Sequence, residues 1–182
     1  MKTAIKVLVV SFIISCLFYF FHPSAIWHGT LPLYQKEALK WSVIKDQIKE
    51  VNRKIDLSIE NQPFKEWGLQ YFIRAPLSEE MVFRGFFVLM PVLFLPAEKR
   101  FLKINWVIVL LWIVMFIGSY LWVIDHHYPP LPEAMVMWGG LINGSCIIHA
   151  DPTPRKRALG MLAAILLHSL ANAFYLGLFY LF

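Results

Sequence analysis

Two groups of polar residues interrupt apolar sequence at spacings that could support chemistry. Glu79 and Glu80 are adjacent, and Arg84 follows Glu80 by four residues, so a helix would place Arg84 and Glu80 on one face. His168 and Asn172 have the same spacing and would project from one face of a later helix. Ionisable residues within membrane segments cost about 2.5–3.5 kcal/mol each on insertion scales. We therefore interpret Glu79, Glu80 and Arg84 as part of a functional site, because a salt bridge that eases insertion would use only one of the two glutamates. For His168 and Asn172 taken alone, an interhelical hydrogen bond is an equal alternative.

Two histidines at the end of the apolar segment at about 104–124 add to these candidate residues. His126 and His127 are, taken alone, typical of a membrane–water interface. Combined with carboxylates and an amide in a water-accessible recess, they could help to add water to a carbonyl group. A glutamate would take the proton from water, while histidine and asparagine would donate hydrogen bonds to the developing oxyanion. No serine or cysteine is paired with an obvious base, so the residues favour water activation over a nucleophilic mechanism.

The composition indicates the class of protein to which these residues belong. Of 182 residues, 58% are hydrophobic and only 16% are charged, whereas a soluble domain is about 45–50% apolar and about 25% charged. This predicts a membrane protein whose partner is the lipid bilayer. The net charge of +5 is not gathered into a basic cluster with aromatic residues, which argues against a nucleic-acid partner. Cys16 and Cys146 both lie in apolar runs, so a disulfide framework or a CxxC site is excluded.

Apolar runs of membrane-spanning length predict an all-α fold, a polytopic helix bundle of about five transmembrane helices. The second run, at about 77–95, follows Pro76 and ends before Pro96. The first run, at about 4–21, is interpreted as a retained anchor and not as a signal peptide. The fourth carries glycines at the small-xxx-small spacing that lets helices approach closely, Gly140 and Gly144, beside Gly139. The five runs cover about 4–21, 77–95, 104–124, 134–148 and 158–182.

A further helix is predicted in the polar segment between the first two runs. Apolar residues recur there at helical spacing, which indicates an amphipathic helix from about Leu33 to Ile59 lying on the membrane surface or packed over the bundle. The residues of its apolar stripe are Ile44, Ile48, Val51 and Ile55.

The distribution of lysine and arginine in the short loops predicts the orientation of the chain, because cytoplasmic loops carry the excess. It places the loops around Lys99 and Arg155 inside and the loop that begins at Asp125 outside. The glutamate pair then lies toward the outer side. His149 lies at the inner end of the fourth run and is read as interfacial. We expect a multi-pass protein of the cytoplasmic (inner) cell membrane with an outward-facing site.

The motifs resemble those of the CAAX prenyl protease and bacteriocin-processing family of intramembrane endopeptidases, the type II CAAX proteases. Residues 79–84 match the family's EExxxR motif, and residues 168–172 match its HxxxN motif. The middle motif, FxxxH, is matched best by Trp122 to His126, with tryptophan in place of phenylalanine. His127 offers a competing register and His149 a poorer one. The resemblance covers residues 76–172, and the first 75 residues carry none of it.

The resemblance implies a role for each matched residue. Glu79 would be the general base for the attacking water, with Glu80 beside it and Arg84 orienting the pair. The oxyanion would be held by His126 and by the asparagine of the HxxxN motif, Asn172. The histidine of that motif, His168, would order the water or the glutamate.

The resemblance also implies an activity and a class of substrate. We expect an endopeptidase that cleaves near the C-terminus of a membrane-associated protein or peptide, with prenylated and non-prenylated substrates both open. The inferred outward-facing site favours an exported peptide or a C-terminal anchor, processed in a sortase-like manner. We favour a metal-free glutamate mechanism with no cofactor, and a divalent metal such as zinc is the alternative. Residues 1–75 would form a transmembrane anchor and amphipathic segment, and residues 76–182 the protease core.

Two other classes of function compete with this prediction. One is a non-catalytic immunity or scaffold protein that binds a membrane peptide. The other is a small proton-coupled transporter that uses Glu79, Glu80 and His168 as a proton relay, although no inverted repeat of the kind found in many transporters is evident.

Overall fold

The computed structural model describes residues 2–60, 62–94, 100–101, 104–150 and 153–181. The predicted all-α class is confirmed. Within the described ranges, strands are confined to the two-residue segments β1 (Arg100–Phe101) and β2 (Ile104–Asn105), which pair antiparallel. The α-helices are α1 (Lys2–Phe20), α2 (Pro23–Trp27), α3 (Leu31–Ala38), α4 (Trp41–Ile59), α5 (Phe64–Leu69), α6 (Ala75–Glu79), α7 (Met90–Phe94), α8 (Trp106–His126), α9 (Pro130–Ile148) and α10 (Pro154–Leu181).

Four helical stretches of the described chain are long and apolar enough to cross a membrane, which indicates a membrane protein. Four of the about five predicted spans meet this criterion within the described residues. The segment predicted at 77–95 does not qualify because it carries three charged residues. The predicted helix stop at Pro96 and the basic residues Lys99 and Lys103 lie outside the described residues. The four stretches are Ala4–Trp27, Trp106–His126, Pro130–Ile148 and Pro154–Phe174.

The segment with the paired glutamates is part of a longer helix than the sequence predicted. It runs without a break from Phe64 to Phe94, so Pro76 lies inside it instead of at its start. Two π-helical stretches, Gln70–Arg74 and Glu80–Leu89, each end two residues before a proline, Pro76 and Pro91 respectively. A proline lacks the N–H of a regular helical turn, and its ring clashes with the carbonyl four residues earlier. The wider turn of a π-helix is one way for a helix to continue past such a residue.

The predicted amphipathic helix is present but is divided in two. α3 ends at Ala38, and Lys40 adopts an extended conformation before α4 begins at Trp41. The hydroxyl of Tyr19 donates to the carbonyl of Ala38, which satisfies a group that the helix end leaves open. The predicted single helix from Leu33 was therefore wrong at this break. The apolar stripe lies on α4, where Val51 is buried.

The chain divides into two compact units, each made of two separate stretches of sequence. The first unit contains residues 1–62 and 123–138. In it, His22 Nε2 lies 2.7 Å from a carboxylate oxygen of Glu133, and the indole of Trp138 donates to Ser11 Oγ at 3.1 Å. These contacts connect α1, and the short turn that follows it, to α9 within this unit.

The second unit contains residues 63–122 and 139–182 and holds most of the predicted site. Its helices approach closely at glycines, as the small-xxx-small pattern predicted. A Cβ atom on Gly144 would overlap the side chain of Met115 on α8, and one on Gly160 of α10 would overlap the backbone of Cys146. Within this unit, α10 therefore approaches the backbone of α9 at Gly160, and the Met115 side chain of α8 packs against α9 at Gly144.

Candidate active site

The two glutamates lie at a change in helical geometry. Glu79 is the last residue of α6, and Glu80 is the first residue of the second π-helical stretch. The N–H of Met90 at the end of this stretch donates to the carbonyl of Gly85, five residues earlier. π-helical turns are rare and are found frequently at functional sites. The local geometry therefore distinguishes this segment from the regular helices around it.

Glu80 is the centre of a buried polar cluster. Its side chain is 0% exposed and that of Arg84 is 1% exposed, and Arg84 Nε lies 3.4 Å from Glu80 Oε2. The other carboxylate oxygen, Oε1, lies 3.0 Å from His168 Nδ1 and accepts a hydrogen bond from Asn143 Nδ2 at 2.8 Å. Charges this deeply buried are costly unless they are paired, and the guanidinium nitrogens of Arg84 have this ion pair but no hydrogen bond among the described residues. Three helical segments thus meet at one carboxylate.

Glu79 occupies a different environment from its neighbour. Its side chain is 25% exposed, and its Oε2 accepts a hydrogen bond from the indole N–H of Trp122 at 2.6 Å. The same oxygen lies 3.7 Å from His168 Nε2, which is within ion-pair range but longer than a hydrogen bond. Glu79 is therefore the carboxylate of the pair that a water molecule or a substrate can reach.

His168 lies between the two carboxylates, with one ring nitrogen facing each. If Nδ1 carries the proton and donates it to Glu80, then Nε2 presents a lone pair toward Glu79. A buried carboxylate that holds a histidine in this way fixes its tautomer and orientation, as in catalytic triads. The arrangement can store or move a proton beside the accessible carboxylate of Glu79.

The guanidinium group of Arg84 is held by packing as well as by charge. It lies over the ring of Trp122, with its central carbon 4.1 Å from the ring centroid. Gly140 makes room for it, because a Cβ there would overlap Arg84 Nη2 and approach Ser119 Oγ to 2.8 Å. A glycine on α9 is thus part of the site.

The structure brings together four of the predicted site residues, Glu79, Glu80, Arg84 and His168. Asn172 lies in the same unit, but its Nδ2 donates to the carbonyl of Tyr71 at 2.8 Å.

The histidines proposed for the middle motif are divided between the two units. His126 belongs to the first unit, where its ring packs against Tyr128 with a centroid distance of 5.2 Å. His127 directly follows the last residue of α8 and has a positive φ of 49°, and its carbonyl accepts a hydrogen bond from Lys54. His149 is exposed in the turn after α9, beside Trp112.

Sequence reasoning missed two contacts of the cluster. Asn143 was not singled out, although an amide within an apolar span is a recognised signal of an interhelical hydrogen bond. Trp122 was noted only as the aromatic residue of the middle motif. Its hydrogen bond to Glu79 depends on the path of α8 past α6, which the local sequence does not specify.

The described residues contain no group of three or more histidine, cysteine, aspartate or glutamate side chains arranged to hold a metal ion.

Comparisons of the chain with protein-family models, with curated proteins and with solved structures found no match.

Proposed function

We propose that the protein is an intramembrane endopeptidase in which Glu79 activates the water that hydrolyses a peptide bond. The observation that carries the proposal is the position of His168 between a fully buried carboxylate, Glu80, and an accessible one, Glu79. A salt bridge for insertion requires only Glu80 and Arg84. The second carboxylate, held beside an oriented imidazole, is what general acid–base chemistry requires.

In the proposed reaction, Glu79 takes a proton from water as the water oxygen bonds to the carbonyl carbon of the substrate. The carbonyl oxygen becomes an oxyanion and must accept hydrogen bonds. The carbon–nitrogen bond then breaks, and the proton on Glu79 passes to the departing amine. The imidazole of His168 is held through Nδ1 by Glu80. It therefore stays beside Glu79 as a polar neighbour during both proton transfers.

The oxyanion donors are the part of the proposal that comes from the resemblance, which names His126 and Asn172. The amide nitrogen of Asn172 has two N–H donors, and its hydrogen bond to Tyr71 uses one of them. A substrate oxyanion could accept the second.

The substrate class follows from the apolar surroundings and from the basic loops. An endopeptidase whose machinery lies among membrane helices meets membrane-associated chains, and a site toward the outer face of the cytoplasmic membrane would meet exported ones. We therefore propose cleavage near the C-terminus of a membrane-anchored protein or of an exported peptide.

The test compares peptides from membrane and secreted proteins by mass spectrometry in cells that express wild type, Glu79→Gln or Glu80→Gln at equal abundance. Glu60→Gln, which removes an exposed carboxylate outside the cluster, is the matched control. We expect one or more C-terminal cleavage products to disappear in Glu79→Gln and to persist in Glu60→Gln.

Identical peptide profiles in all strains would overturn the endopeptidase proposal and favour a non-catalytic protein that binds a membrane peptide. Proton flux through protein-containing liposomes without any peptide, lost in Glu79→Gln, would instead favour the transporter.

A further inference from the structure

Trp122 contacts three of the residues that the proposed function uses. It is buried near the end of α8, and its indole N–H donates to Glu79 at 2.6 Å. The face of its ring covers the guanidinium group of Arg84 at 4.1 Å. The ring also meets the imidazole of His168 edge to face, with a centroid distance of 5.1 Å. One side chain thus contacts the accessible carboxylate, the buried cation and the histidine between the carboxylates.

The three contacts depend on different parts of the indole. The contacts with Arg84 and His168 use the aromatic ring, and a phenylalanine ring could supply both in weaker form. The contact with Glu79 uses the N–H group, which phenylalanine lacks. A hydrogen bond to a charged oxygen is shorter and stronger than one between neutral groups. The tryptophan therefore provides one polar function, which phenylalanine removes while keeping an aromatic ring at this position.

That polar function matters because Glu79 is the less confined of the two glutamates. A glutamate side chain has enough rotamer freedom to lose up to about 2 kcal/mol of entropy when it is fixed. Glu80 is fixed by Asn143, His168 and Arg84, whereas Glu79 is partly exposed. A rigid indole donor on a neighbouring helix selects one orientation of the Glu79 carboxylate before substrate arrives.

We propose that Trp122 is a positioning residue that orients the Glu79 carboxylate for water activation through its indole N–H. This inference rests on the proposed function. Trp122 acts through Glu79, so its loss would reduce the rate of the chemical step while leaving substrate binding unchanged.

The kinetic test uses the purified full-length protein and a peptide that spans the cleavage site found by mass spectrometry. We expect Trp122→Phe to lower kcat by about tenfold or more with little change in KM, because an interaction made by the reacting group has been lost. Trp106→Phe changes a half-exposed tryptophan at the start of the same helix and should leave both constants unchanged. A Trp122→Phe variant with normal kcat, or with an altered KM alone, would overturn the positioning role.

A second measurement does not depend on activity. The seven tryptophans each give an indole N–H signal in a two-dimensional NMR spectrum of ¹⁵N-labelled protein in detergent, and the signal absent from Trp122→Phe belongs to Trp122. We expect Glu79→Gln to move this signal upfield, because a neutral amide is a weaker acceptor than a carboxylate. Glu60→Gln should leave it in place.

An unmoved signal in Glu79→Gln would refute the hydrogen bond and the positioning role together. A signal that moves, in a protein for which no cleavage product is ever lost, would leave the hydrogen bond standing and refute the endopeptidase. A signal that moves, with Trp122→Phe cleaving its peptide at the wild-type rate, would refute the positioning role and leave the endopeptidase standing.

Discussion

Two glutamate–arginine pairs on helices illustrate how environment, rather than spacing, determines what a charge pair can do. On α4, Glu50 and Arg53 are separated by three residues, and their side chains are 37% and 62% exposed. In the second π-helical stretch, Glu80 and Arg84 are separated by four residues, and their side chains are 0% and 1% exposed. A sequence pattern alone would score them alike. Only the second pair requires an explanation beyond local helix stabilisation.

The difference has an energetic origin. An exposed pair gains little, because water and salt screen it and because two long side chains must be ordered. A buried pair loses hydration that its mutual attraction repays only in part, so well-packed apolar residues of similar volume would often be as stable. The Glu80–Arg84 pair also connects to His168 and Asn143, which a purely structural pair does not need. Its retention inside the bundle is accounted for by the proposed chemistry at the adjacent Glu79.

The largest effect is predicted for a variant that removes one charge of the buried pair. Arg84→Met keeps much of the side-chain volume but leaves the Glu80 carboxylate buried without its cation. We expect a loss of about 3–5 kcal/mol in stability, measured as thermal unfolding in detergent micelles. The corresponding change in the exposed pair, Arg53→Met, should leave the unfolding midpoint unchanged.

A double variant distinguishes an unpaired charge from lost packing. Glu80→Gln/Arg84→Met removes both charges and keeps a carbonyl acceptor for Asn143, so we expect it to regain most of the lost stability. If the double variant is as unstable as Arg84→Met alone, packing of the arginine, and not its charge, stabilises this region.

A smaller effect is predicted where α9 makes room for the buried arginine. A Cβ on Gly140 would overlap Arg84 Nη2 and Ser119, whereas a Cβ on Gly139 would meet nothing within 4 Å. We expect Gly140→Ala to cost about 1–3 kcal/mol through overpacking. Gly139→Ala should be neutral or stabilising, since alanine favours helices over glycine by about 1 kcal/mol.

The two glycine variants differ by one position on one helix, so unfolding midpoints recorded side by side test the placement of Arg84 directly. Equal midpoints would show that the guanidinium group does not lie against Gly140.

Much of the fold could be predicted because long apolar runs and their small residues are local signals. The runs at 104–124, 134–148 and 158–182 correspond to α8, α9 and α10. The continuous helix past Pro76 could not be predicted, because a proline normally marks a boundary and nothing local announces the π-helical turns that accommodate it. The break between α3 and α4 likewise depends on Tyr19, which is distant in sequence.

Only those features of the site that depend on residue type and helical spacing could be predicted. They identified Glu79, Glu80, Arg84 and His168, which the structure brings together. They did not distinguish the buried glutamate from the accessible one, since that difference arises from the packing of α8 and α9 against the helix. They also missed Asn143 for the same reason.

The smallest predicted effect concerns the exposed pair and its response to pH. The Arg53 guanidinium group beside Glu50 lowers the pKa of that carboxyl from its ordinary value of 4.5. A group whose pKa is lower in the folded state stabilises that state above the ordinary value, and the contribution disappears as pH falls through the lowered one. Because both side chains are well exposed, Glu50→Gln should change the unfolding midpoint very little at pH 7, and this small change should disappear as the pH falls through the lowered pKa. A clear loss of stability at pH 7 would mean that Glu50 and Arg53 are shielded from water in the protein as measured. The contrast between an exposed and a buried charge pair would then no longer hold.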